Sequence, residues 1–127
     1  MHRSRLGALV IDCQSENFDR DIAFWAGALG GEGIRDNTPG SEHYAHLQQD
    51  DPDEVQIILQ KVEHPSRVHL DIETDDIEAE VARLEKLGAK RVARIKSWWV
   101  MEAPSGHRFC VVEPQRGDFA SAAGVRD

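Results

Sequence analysis

The sequence is poor in cysteine, in basic charge and in long apolar runs. Its two cysteines are too few for a disulfide framework. Acidic residues outnumber basic ones 23 to 15, the formal net charge is -8, and no basic run interrupts this excess. We therefore expect no nucleic acid and no anionic membrane as a partner. The apolar run at residues 8–11, like every other in the sequence, is far shorter than the roughly 20 residues of a spanning helix.

The beginning of the chain predicts no secretion signal. Residues 1–5 include two arginines and a histidine, but they lead directly into that short apolar run, without a signal-peptide core or a cleavage site. Together with the low cysteine content, this predicts a reduced protein in the cytoplasm.

Length and composition predict one folded domain. The chain has 127 residues, of which 40% are apolar and 30% are charged, enough apolar residues for a core and too many for a disordered segment. We expect a single domain over residues 1–127, with one module at about 5–62, a second at about 67–114 and a loose tail at 115–127.

The hydrophobic pattern repeats one order of elements twice. In the first half, a strand at 6–12 precedes a helix that begins near Asn17 and is stopped by Gly30-Gly31. Strands at 42–48 and 55–62 follow. In the second half, a strand at 67–73 precedes a helix capped by Asp75 and ended by Gly88. Three strands follow, at 90–95, 98–103 and 108–113. The repeat of about 60 residues is visible in element order more than in residue identity.

These motifs resemble a known superfamily. The segments 68–72, 87–89 and 103–112, together with Phe24-Trp25 and Leu29-Gly30, are similar to the vicinal oxygen chelate superfamily, which groups glyoxalases, bleomycin-resistance proteins and extradiol dioxygenases. The similarity covers about residues 6–114. It implies an α+β fold of two βαβββ-type modules, whose curved mixed sheets form a ligand cleft that is often completed in a homodimer.

The resemblance also implies a divalent-metal site, but most of its ligand positions are changed here. His69 occupies the histidine position of the second module, whereas Cys110 stands where glutamate is usual. Gln60 falls at a position in the first module, and the first-strand position falls at Gly7, or at Leu9 in a shifted register. Mg²⁺ and Mn²⁺ prefer several oxygen ligands, and catalytic Zn²⁺ takes three good ligands. The substitutions therefore predict a protein without a metal cofactor.

The predicted site is a ligand-binding surface in the cleft. If the last hairpin pairs residue 103 with 108, Trp99, Met101 and Cys110 share one face and form an aromatic and polarizable wall. Trp98 then points the other way, toward the helix layer or a subunit contact. His69 and Gln60 are the predicted polar contacts. Trp99 could equally be a core residue, and His69 could be a structural partner of Asp71 on the same strand face. An iron site built on His69 and Asp71, and a nucleophilic Cys110, are less favoured alternatives.

Two functions of different class follow from this pattern. The first is a metal-independent protein that binds a small organic molecule, either a metabolite or an antibiotic-like compound, as bleomycin-resistance members of the superfamily do. The alternative is a metal-dependent lyase, isomerase or dioxygenase with an atypical ligand set. A third possibility is an interaction module whose cleft is filled by side chains. Exposed strand edges and the resemblance both predict a homodimer.

Overall fold

The computed structural model describes residues 1–51 and 53–127. It contains three helices and nine strands over these ranges, with the bounds β1 His2–Cys13, α1 Phe18–Leu29, β2 Gly31–Arg35, β3 Tyr44–Gln49, β4 Gln56–Lys61, β5 Arg67–Thr74, α2 Ile77–Lys86, β6 Lys90–Ile95, β7 Trp98–Glu102, β8 Arg108–Val112, α3 Phe119–Ala122 and β9 Gly124–Arg126. None of the helices in the described ranges has both the length and the apolar character needed to span a bilayer.

The chain divides into two compact units. The first unit is Ala8–Val68, and the second unit combines Met1–Gly7 with His69–Asp127. The element order is β1-α1-β2-β3-β4 followed by β5-α2-β6-β7-β8. The α+β class and the βαβββ modules implied by the family resemblance are therefore confirmed. Strand β1 contributes its first half to the second unit and its second half to the first.

The first unit packs α1 on a mixed sheet. Its strand order is β2-β3-β4-β1, in which β1 and β4 are parallel and the other pairs are antiparallel. Helix α1 begins at its cap Asn17, whose side chain accepts a hydrogen bond from the Arg20 amide, and Gly30 ends it in the left-handed conformation. Phe18, Ile22 and Leu59 lie in the core between helix and sheet.

Strand β2 is absent from the sequence-based prediction, which places only a helix stop at Gly30-Gly31. Its glycines do not favour a strand by propensity. Gly33 is favoured there because a Cβ at this position would collide with Cγ2 of Ile22 on α1. Close packing of helix and strand therefore decides this element.

The second unit packs α2 on another mixed sheet. Its strand order is β1-β5-β8-β7-β6, with β5 and β8 parallel and β9 added antiparallel to β1. Val81 and Leu84 on α2 pack against Met101 and Val111 of the sheet. The helix cap is Asp76, whose side chain accepts from the Ala79 amide, and not the predicted Asp75.

Residues 115–127, predicted as a loose tail, contain regular secondary structure. They form α3 and β9, and the latter pairs with β1. Phe119 is buried, and the Arg5 guanidinium lies 5.6 Å from the centre of its ring. Arg5 also binds Asp118, so an ion pair and a cation–π contact hold the tail to β1.

Candidate functional site

A cluster of three polar side chains lies on one face of the second unit. His69 and Asp71 are two residues apart on β5, and Cys110 on β8 is the register partner of Asp71. Because alternate strand residues share a face, all three point to the side of the sheet away from α2. Ile72 and Val111 point to the other side and pack under α2. We call the side that carries the cluster the His69 face.

The three side chains are close enough to act together. Nε2 of His69 lies 3.4 Å from Oδ1 of Asp71, and both side chains are only slightly exposed. The candidate donor atoms of His69, Asp71 and Cys110 all lie within 4.8 Å of one another. An imidazole, a carboxylate and a thiol at this separation can hold a polar ligand group by hydrogen bonds, or can bind a cation of intermediate softness.

The observed register of the last hairpin corrects the predicted wall. The prediction pairs Ala103 with Arg108, but the structure pairs Glu102 with Arg108 and Val100 with Cys110. The loop has three residues, because the Ala103 amide donates to the His107 carbonyl and Gly106 adopts a positive φ of 91°. A slip of one residue moves every side chain of a strand to the opposite face.

Trp99 and Met101 therefore leave the predicted site. Met101 is fully buried and packs with Trp99 in the core under α2. Trp99 also donates a hydrogen bond from Nε1 to Glu78, and Arg91 stacks on its ring at 5.0 Å. Trp98, predicted to point away from Cys110 toward the helix layer or a subunit contact, lies on the same face as Val100 and Cys110.

Gln60 belongs to the first unit, where it is half-buried on β4. It pairs with Tyr44 on β3 and with Asp12 on β1. Its Nε2 donates a hydrogen bond to the Tyr44 hydroxyl at 3.3 Å. Asp12 is buried, and its Oδ2 lies 3.7 Å from the Arg67 guanidinium. The sequence-based prediction missed Asp12, although alternation along its strand could have placed it on one face with Gln60.

The positions at which the resemblance implies metal ligands carry few donors for a hard cation such as Mg²⁺ or Mn²⁺. A Cβ at Gly7 would lie 2.8 Å from Cγ of Glu73, so a larger side chain at the first-strand position requires Glu73 to move. Leu9, the alternative position, packs against the core of the first unit. With a thiol at Cys110, the second unit keeps one carboxylate oxygen donor in the cluster, Asp71, and Mg²⁺ and Mn²⁺ need more.

The second cysteine is chemically distinct from the one in the cluster. Cys13 is buried in the core of the first unit. Burial, together with the nearby carboxylates of Asp21 and Asp12, raises the pKa of its thiol to about 11. Cys13 is therefore an inert thiol at neutral pH, whereas Cys110 is partly accessible.

Two surface cavities are lined by residues outside the cluster. One, of about 400 Å³, lies at the start of α1 and is lined by Cys13, Asp21 and Trp25 among others. The other, of about 670 Å³, lies at the start of α2 and is lined by Asp76, Arg94 and Trp99 among others. Both carry several carboxylates in their lining, as the net charge of the chain leads one to expect.

Comparison with known proteins identifies the family. The glyoxalase-like domain family matches residues 8–112, which is most of the chain and includes both helices and all the strands of the two βαβββ repeats from Ala8 onward. The chain belongs to the glyoxalase-like domain family. No curated protein matches this glyoxalase-like chain by sequence.

Solved structures share the fold at low sequence identity. The Mn(II)-bound glyoxalase from Novosphingobium aromaticivorans superposes with a TM-score of 0.61 at 20% identity, and the match covers 100% of this chain and 43% of that one. The methylmalonyl-CoA epimerase from Mycobacterium tuberculosis gives 0.61 at 17%, covering 92% and 91% of the two chains. A variant of homoprotocatechuate 2,3-dioxygenase from B. fuscum gives 0.58 at 13%, covering 90% and 33%. These likenesses establish the glyoxalase and vicinal oxygen chelate fold alone; the chain spans less than half of the first and third proteins.

Proposed function

We propose that this protein binds a small organic molecule, a metabolite or an antibiotic-like compound, on the His69 face and that it does so without a metal cofactor. The observation that carries the proposal is the half-buried cluster of His69, Asp71 and Cys110, which offers hydrogen-bond donors and acceptors on a rigid sheet. Membership of the glyoxalase-like family supports small-molecule binding, and the closed position at Gly7 supports independence from the usual metal.

His69 is the main polar contact in this proposal. Its strand is held from the other side by Ile72 in the α2 core, so the imidazole is positioned by the fold and not by a loop. Gln60 belongs to the other unit, and its part in ligand binding stays a prediction. A homodimer, a cytoplasmic location and a bleomycin-resistance type of function also stay predictions.

A substitution at His69 tests the proposed site. A thermal-shift screen of aromatic and antibiotic-like metabolites should yield compounds that raise the melting temperature of the native protein. For such a compound, His69→Gln should weaken binding by about 2- to 13-fold, the equivalent of one hydrogen bond of 0.5–1.5 kcal/mol.

The control for this test is His107→Gln. His107 lies at the exposed end of the last hairpin, and its ring pairs with the Ser105 hydroxyl at 2.7 Å, outside the cluster. This control should leave ligand affinity unchanged. A compound that binds both variants as well as it binds the native protein would place the ligand elsewhere and would contradict the assigned site.

A second candidate function is a metal-dependent lyase, isomerase or dioxygenase. The observation that favours it is the separation of 3.4 Å between Nε2 of His69 and Oδ1 of Asp71, close to the roughly 3.3 Å between two ligands at 2.0–2.1 Å from a tetrahedral zinc ion. With Cys110, the cluster offers one nitrogen, one oxygen and one sulfur donor, a set suited to Zn²⁺ or Fe²⁺ and unsuited to Mg²⁺. A metal held there would supply Lewis-acid chemistry.

Metal content separates the two candidates. We expect protein purified without chelator and then dialysed to contain far less than one equivalent of any transition metal. We also expect added Zn²⁺ to leave the alkylation rate of Cys110 unchanged. Cys13 serves as the internal control, because its buried thiol should react in neither condition. Stoichiometric metal that is lost from Cys110→Ser, with zinc protection of Cys110 in the native protein, would instead support the metal-dependent enzyme.

A further inference from the structure

The His69 face is arranged in three rows of side chains across strands β5, β8 and β7. The register pairs Asp71 with Cys110 and Cys110 with Val100, which gives the middle row. A second row on the same side of the sheet contains His69, Arg108 and Glu102. Each of these residues is two positions from the middle-row residue of its own strand. A third row, on the other side of the middle row, contains Glu73, Val112 and Trp98.

On β5, β8 and β7, the charged side chains that point to this face are paired, apart from the Asp71 carboxylate. Arg108 donates to Glu102 at 3.3 Å, and the buried Glu73 accepts from Arg5 and from the Gln115 amide. Among the described residues, the ion-pair partner of Asp71 is His69, which carries charge only when it is protonated. A ligand group placed at the cluster therefore meets zero or negative local charge, so a neutral or cationic group with hydrogen-bond donors is favoured.

The neighbouring part of the face is apolar and aromatic. Val100, Val112 and Trp98 are all partly exposed, and they lie next to Cys110 on the side away from α2. From the spacing within and between strands, the Cα atoms of Trp98 and Cys110 are about 8 Å apart. A fused aromatic ring system can cover this distance. Its polar edge then lies at the cluster, and its flat face lies on the indole ring of Trp98.

We propose that Trp98 is the aromatic contact of the ligand site, and that the site takes a planar aromatic molecule that is neutral or cationic and carries hydrogen-bond donors. The inference rests on the proposed function and adds the class of ligand. Its basis is the juxtaposition of Trp98, two valines and the His69–Asp71–Cys110 cluster on one sheet face. A planar aromatic cation also gains a cation–π interaction with the indole ring, and an anion of the same size meets the Asp71 carboxylate.

The two adjacent tryptophans provide the test and its matched control. Proflavine, a planar aromatic cation with ring amines, can be titrated by its visible absorbance against the whole chain. Trp98→Ala should weaken proflavine binding about tenfold, and Trp98→Phe should weaken it much less, because a smaller ring still stacks. Trp99→Phe should lower the melting temperature through the lost hydrogen bond to Glu78 and the smaller ring beside Arg91, and should change proflavine affinity less than about twofold.

Further outcomes decide the proposal and separate it from the proposed function. Weaker binding in Trp99→Phe but not in Trp98→Ala would place proflavine in the cavity at the start of α2 and would overturn the inference. No binding of proflavine to the native protein, or tighter binding of the anion anilinonaphthalene sulfonate, would also overturn it. If His69→Gln weakens binding of a screened compound and Trp98→Ala does not, the proposed function stands and the role of Trp98 is wrong.

Discussion

Replacing Glu80 by glutamine should lower the free energy of unfolding by about 3–5 kcal/mol, the range for breaking a buried ion pair. Glu80 is fully buried on α2, where it accepts a hydrogen bond from Nε2 of His2 at 2.8 Å. Arg83 binds the same carboxylate through two nitrogens, at 2.7 and 2.8 Å. An amide in this place cannot accept from all of these donors, and one of its own donors would point at His2 or Arg83.

The stability that Glu80 contributes should be lost in acid solution. Burial alone would raise the pKa of its carboxyl group, but hydrogen bonds from Arg83, His2 and Ser4 hold it down to about 2. Because the folded pKa lies below the unfolded value of 4.5, the contribution is complete above pH 4.5 and is lost as the pH falls toward 2. The difference in unfolding free energy between the native protein and Glu80→Gln should shrink over the same interval.

Glu85 provides the matched control for Glu80. It lies on the same helix, and its carboxylate accepts a hydrogen bond from Arg91 at 3.0 Å on the protein surface. Glu85→Gln should cost less than about 1 kcal/mol in chemical denaturation, because an exposed ion pair is well solvated in either state. Equal effects of the two substitutions would show that burial of Glu80 does not determine its contribution.

The second large effect is expected at Gly7. Gly7→Ala should lower the free energy of unfolding by about 1–3 kcal/mol, as overpacking does in well-packed cores. The new Cβ would lie 2.8 Å from Cγ of Glu73, which is fully buried and held by Arg5 and by the amide of Gln115. Relief of the clash requires movement of Glu73, and that movement strains the buried ion pair.

Gly27→Ala is the control for this prediction, because a Cβ at Gly27 meets no heavy atom within 4 Å. Gly27 lies inside α1, where alanine is favoured over glycine by about 0.5–1 kcal/mol. Urea denaturation should therefore show the two glycine-to-alanine changes shifting stability in opposite directions. A stabilising Gly7→Ala would mean that Glu73 moves without cost and that the first-strand position is not closed to side chains.

Local sequence signals determined α1, α2 and the order of the elements other than β2, α3 and β9. Asn17 with Gly30 predicts the bounds of α1, and the alternation in residues 67–73 places His69 and Asp71 on one face, because each signal acts within a few residues. The family resemblance follows from the same ordered motifs and is confirmed over residues 8–112.

Non-local packing decided the rest. The register of β7 against β8 depends on whether the loop before His107 has three or four residues, and both fit the sequence Pro104-Ser105-Gly106. The difference of one loop residue places Trp98, and not Trp99, on the His69 face and places Met101 in the core. Tertiary contacts also decide the presence of β2, the packing of residues 115–127 on β1 and the lack of room beside Gly7. The atoms that meet at these places come from distant parts of the chain.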